Sequence, residues 1–81
     1  MKSAENATPE PGQTVVLTSI PPGLLEGLPA DDQEAITAAV GKPLRLLEYD
    51  DAGRAELEFT DDRGVIHFIC VNPDLIRAFG E

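Results

Sequence analysis

Between Leu44 and Val71, three strand-patterned runs are separated by two turns of the same chemistry, and this restricts the segment to an antiparallel meander. The runs are Leu44 to Tyr49, Arg54 to Thr60 and Val65 to Val71. Between them lie Asp50-Asp51-Ala52-Gly53 and Asp61-Asp62-Arg63-Gly64. Aspartate bonds the local backbone in such turns, and glycine takes the position that requires positive φ. In the middle run Ala55, Leu57 and Phe59 point one way, while Arg54, Glu56 and Glu58 point the other. That is the pattern of a half-buried antiparallel strand. In the first run, alternation sets Leu47 and Tyr49 opposite Leu44 and Leu46. The third run is apolar on both sides, with Val65, Ile69 and Val71 opposite Ile66, Phe68 and Cys70. Such a strand is expected to be covered on both faces by barrel closure, by a helix or by another chain. Phe59, Phe68 and Cys70 are expected in the core.

The remaining elements surround this meander. Gln13 to Ile20 is rich in β-branched residues and reads as a strand, ended by Pro21-Pro22-Gly23. Leu24, Leu25 and Leu28 anchor the loop that follows. A helix is expected from Asp31, with Glu34 completing a capping box, or from a start near Pro29. Its buried face is Ile36, Ala39 and Val40, and Gly41 and Pro43 end it. Asn72-Pro73 opens a further helical turn. Arg77-Ala78-Phe79 is expected to pair with the first strand. Residues 1–12 carry no apolar pattern and read as a disordered tail, leaving residues 13–81 as a single small domain.

This order of elements, the turns Asp50 to Gly53 and Asp61 to Gly64, and the helical turn at Asn72 to Leu75 resemble the SH3-like small barrel. The resemblance is architectural. It implies a mainly β fold in which the long first connection, Pro21 to Lys42, carries an inserted helix. The alternative is an open α+β antiparallel sheet with one helix packed on it. In size and composition the chain resembles small bacterial proteins of unknown function, including those carried on mobile gene cassettes.

Composition narrows the function classes. The chain has 81 residues and a net charge of -9. A negative field disfavours nucleic acid and anionic lipid, so neither is expected as a partner. The N-terminus has no apolar stretch of the secretory kind, no run is long enough to span a membrane, and a lone thiol suits a reducing compartment. A cytoplasmic location is the expectation. A single cysteine excludes an internal disulfide, and a core of this size contributes only roughly 3–5 kcal/mol, which favours self-association as a source of stability. A weak homodimer is therefore expected.

No catalytic, cofactor-binding or metal-binding residue is assigned. His67 and Cys70 are three apart on a strand and face opposite sides, so they cannot converge on one metal or substrate atom. His67 is expected beside Glu56 or Glu58. The paired aspartates are turn formers. The function expected is a non-catalytic protein-interaction or accessory module, with Leu47, Tyr49, Glu56, Glu58, His67, Ile69 and Val71 as candidate interface residues. The alternatives are an acidic inhibitor or immunity-type protein that occupies a basic site, distinguished by carboxylates gathered on one face, and a small ligand-binding domain or enzyme, distinguished by a deep pocket at His67. With no convergent ligand set, EDTA should leave the melting temperature and spectra unchanged. Stoichiometric metal in protein purified without added metal would contradict the reading of His67, Cys70 and the turn aspartates together.

Overall fold

A computed structural model describes residues 8–80, so the first seven residues of the expected tail and the C-terminal residue lie outside the described residues. In chain order the elements are β1 (Thr14–Leu17), α1 (Ala30–Ala39), β2 (Pro43–Tyr49), β3 (Ala55–Thr60), β4 (Ile66–Val71), a 3-10 turn (Pro73–Leu75) and β5 (Ile76–Ala78). The strands form one antiparallel sheet in the order β4-β3-β2-β1-β5. The chain leaves β1 through the loop and α1, returns beside it as β2, and meanders out to β4. The 3-10 turn then carries it back to the other side of β1. Among the described residues no ladder joins β4 to β5, so the sheet is open, and α1 packs on one of its faces.

The core lies between that face and α1. Val15, Leu17, Leu44, Leu46, Ala55, Leu57, Phe59, Ile69, Val71 and Ile76 come from the sheet, and Ala35, Ile36 and Ala39 come from the helix. Ile20, Leu24, Leu25 and Leu28 of the long first connection pack against the rim of this cluster. Full burial of a Leu or Val side chain stabilises by about 1.5–3 kcal/mol.

Two register features decide what each strand presents. In β2, Arg45 pairs with Glu58 and Leu46 with Leu57, but Glu48 pairs with Glu56 and Tyr49 with Ala55. Leu47 is an extra residue, a bulge, and one inserted residue reverses the facing of everything after it. Tyr49 therefore joins the side of Leu44 and Leu46, packed against the core, and not the opposite side that strict alternation assigned. In β4, His67, Ile69 and Val71 pair with Phe59, Leu57 and Ala55 and share their inward side. Ile69 is only 7% exposed and Val71 2%, whereas Ile66 is 55% and Phe68 57% exposed. The expected core positions of Phe68 and Cys70 are thus corrected: both lie on the outer face, opposite Glu58 and Glu56.

The C-terminal end of α1 is as expected, with Gly41 at φ +84°, and the N-terminal end follows the alternative start near Pro29. The helix begins at Ala30, with Pro29 at the N-cap and no side-chain cap. Gln33 instead donates from Nε2 to the Leu28 carbonyl at 2.9 Å. Asp31 lies within the first turn and not at the N-cap, so it closes no box with Glu34, and its carboxylate meets Arg63 at 3.0 Å. At the N-terminal side, attachment reaches back to Pro9, ahead of the boundary read after Gly12. The Tyr49 hydroxyl donates to the Pro9 carbonyl at 2.6 Å, and the Gly12 amide to the Leu46 carbonyl at 2.7 Å.

The facing of β3 and β4 has a direct test. Leu57→Ala should cost about 2–5 kcal/mol and Phe59→Ala about 3–5 kcal/mol in urea denaturation. Phe68→Ala should stay within roughly 0.5 kcal/mol of the parent, the range of surface changes. A Phe68→Ala cost equal to that of Phe59→Ala would contradict the register.

Candidate functional site

The two hairpin turns share one construction. The Asp50 amide donates to the Arg54 carbonyl, and the Gly53 amide to the Asp50 carbonyl, both at 2.9 Å. The Asp61 amide bonds the Val65 carbonyl at 2.9 Å, and the Gly64 amide bonds the Asp61 carbonyl at 3.0 Å. Each aspartate uses Oδ1 to accept two further amides: Ala52 and Arg54 at the first turn, Arg63 and Val65 at the second. Gly53 and Gly64 have φ of +83° and +86°, which accounts for glycine there. The first aspartate of each pair, Asp50 and Asp61, is therefore a structural part of its turn.

The second turn extends this construction into a clasp. Asp61 Oδ2 is 2.8 Å from His67 Nε2 and 3.3 Å from an Arg63 guanidinium nitrogen. Arg63 reaches on to Asp31 in the first turn of α1 at 3.0 Å, and His67 Nδ1 lies 3.9 Å from Asp32. The imidazole stacks on Phe59, with centroids 5.0 Å apart and planes 16° from parallel. The side chains of His67 and Asp61 are nearly withdrawn from water. The His67 hydrogen bond, followed by the Val65 and Arg63 amides, holds the Asp61 carboxyl far below the usual carboxylate range. Asp31 in turn raises the Arg63 guanidinium. Both imidazole nitrogens face carboxylates, so the ring joins the hairpin to the helix. The expected neighbours Glu56 and Glu58 lie on the other side of the sheet.

Two open depressions flank α1. One, of about 550 Å³, lies between the helix and the β3–β4 turn and is walled by Asp31, Glu34, Lys42, Asp61 and Arg63 over Phe59. The other, of about 340 Å³, runs along β4 and is lined by Leu24, Leu28, Ile36, Phe68, Ile69 and Cys70, with the polar groups of Asp32, Arg54 and His67 also on its wall. Among the described residues no three His, Cys, Asp or Glu side chains converge as metal ligands.

The second depression adjoins a free strand edge. Val65 is hydrogen-bonded across the hairpin to Asp61. In an antiparallel ladder such pairs alternate, so His67, Ile69 and Val71 turn their backbone groups to β3. The N–H and C=O groups of Ile66, Phe68 and Cys70 then point away from the sheet, and no described strand pairs with them. The same three residues carry the outward side chains. Ile66 and Phe68 form an exposed apolar pair on the outer face, Val65 is exposed just before the strand on the other side, and β4 contains no Asp, Glu, Lys or Arg. Natural edges are usually blunted by charge, proline or bulges.

Of the candidate interface residues, the structure brings Glu56 and Glu58 together on the outer face, one strand in from this edge. Leu47 occupies the bulge and Tyr49 the core rim. Ile69 and Val71 are core residues, and His67 belongs to the clasp. The residues missed are Ile66 and Phe68. A signal for them existed: the glycine-bearing turn fixes the pairing of Phe59 with His67, and with it the side of every β4 residue. The carboxylates are divided, with Asp31, Asp32 and Glu34 on the helix and Glu56 and Glu58 on the opposite face of the sheet. No helix among the described residues is long and apolar enough to cross a membrane.

Because the Asp61 carboxyl is depressed, its contribution is fully present above its ordinary value of 3.8 and is lost as pH falls below it. Asp61→Asn keeps an oxygen for the turn amides but removes the charge facing His67 and Arg63. The variant should melt lower than the parent at neutral pH, and the gap should shrink between about pH 4 and pH 2. Melting curves across that range with a constant gap would contradict the clasp. No protein-family model, curated protein or solved structure matches this chain.

Proposed function

We propose that this chain is a non-catalytic protein-interaction module that takes an extended partner segment as an added strand on β4. The observation that carries the reading is the coincidence of outward backbone groups on Ile66, Phe68 and Cys70 with the exposed side chains of Ile66 and Phe68, beside a leucine-lined groove. Strand addition uses main-chain hydrogen bonds for affinity and alternate side-chain pockets for specificity. The partner's inward side chains would enter the groove at Leu24, Leu28 and Ile36, and its outward ones would lie beside Ile66 and Phe68.

The frame we propose is SH3-like in its strand order, with the sheet left open between β4 and β5. The strand order and the 3-10 turn ahead of β5 support it, with α1 in the first long connection. The division of carboxylates between two faces favours strand addition over an acidic inhibitor, which would need them gathered.

Peptides selected from a random display library against the isolated chain provide the test. They should shift the amide resonances of Ile66, Phe68 and Cys70 more than those of the Asp50 to Gly53 turn. Selection of no binder, or shifts centred on Glu34 and Lys42 in the other depression, would overturn the reading.

A further inference from the structure

We infer that the strand β4 accepts is the β4 of a second copy of this chain, antiparallel, with Phe68 on the two-fold axis; this rests on the strand-addition reading above. The register follows from the outward groups. Centring the pair on Phe68 sets Phe68 against its own copy and Ile66 against the partner copy's residue 70. Every outward N–H of Ile66, Phe68 and Cys70 then meets an outward C=O, with none left over on the strand. On the outer face the contacts are Phe with Phe and Ile with Cys, which are apolar throughout. An isologous contact needs this self-complementarity.

Charge decides whether an acidic chain tolerates such a contact. β4 contains no Asp, Glu, Lys or Arg; Glu56 and Glu58 lie on β3, and the groove wall carries one charge of each sign, Asp32 and Arg54. Across the pair the two β3 strands are separated by three inter-strand spacings, roughly 14 Å. That exceeds the Debye length of about 8 Å at physiological salt, so the carboxylates are screened while the apolar row is in contact. The net charge of -9 therefore weakens association mainly at low salt. With the axis perpendicular to the sheet, both helices lie on one face. The grooves at Leu24 and Leu28 open toward each other and are covered together. A contact of one short strand per chain belongs to the weak class of interfaces, so association should appear at high micromolar concentration.

Sedimentation equilibrium at low and moderate salt, joined to cysteine cross-linking, tests the inference. The parent should dimerise more strongly at moderate salt. Phe68→Lys should be monomeric with an unchanged circular dichroism spectrum, and Phe79→Lys, exposed but outside β4, should dimerise as the parent does. Directly opposed residues of this kind have Cα atoms about 5.5 Å apart, within disulfide range. Ile66→Cys should therefore form a covalent dimer through the partner's Cys70 on oxidation. The parent, whose two Cys70 residues lie on opposite sides of the axis, should not. A parent that is monomeric at high micromolar concentration in both salts overturns the second copy as partner. If library peptides still shift β4 in that monomer, the strand-addition reading survives; if they do not, both fall. A parent that cross-links through Cys70 alone overturns the register.

Discussion

The Asp61 carboxylate is the point on which the rest of this structure turns. One oxygen closes the β3–β4 turn by accepting two amides, and the other holds His67 and Arg63. Arg63 then ties the turn to the start of α1 through Asp31. This one side chain couples the register of the outer hairpin to the position of the helix over the core. With Phe59 opposite His67, Ile69 and Val71 must enter the core, and Ile66, Phe68 and Cys70 must leave it. The exposed apolar row is thus a consequence of a well-made turn. Residues Ile66 and Phe68 expose more than half their surface because they lie on the sheet face opposite the core.

The same hairpin explains how an apolar strand can sit at an edge. Its inner side supplies the core with Ile69 and Val71, so it cannot be made polar throughout without loss of the fold. Its outer side is under no such demand, yet it carries Ile, Phe and Cys in place of the charges that usually protect an edge. A partner strand supplies a physical reason for that choice. The groove between Leu24, Leu28 and β4 gives the partner's inward residues a mainly apolar surface, rimmed by Asp32 and Arg54, to rest on.

Much of the fold was legible in the residues. The meander, its two turns, the helix ended by Gly41, and the closing strand beside β1 all follow from local chemistry. Sites set by register were less legible. Alternation alone cannot show the bulge at Leu47, which carries Tyr49 to the core rim and within reach of the Pro9 carbonyl. Alternation also divides β4 correctly into two sides but does not say which side is covered. That choice depends on the count of residues through the Asp61 turn, and it moves Ile69 and Val71 from a candidate surface into the core. Local sequence also offers a capping box at Asp31, whereas the helix starts at Ala30 and leaves Asp31 inside its first turn.

Amide hydrogen exchange along β4, read residue by residue at two protein concentrations, tests the central claim most directly. The account predicts alternation in dilute solution: His67, Ile69 and Val71 protected by β3, and Ile66, Phe68 and Cys70 exchanging fast. At high micromolar concentration the three fast amides should become protected while the others change little. Uniform protection of β4 in dilute solution, or fast exchange at Ile66, Phe68 and Cys70 that is indifferent to concentration, would contradict it.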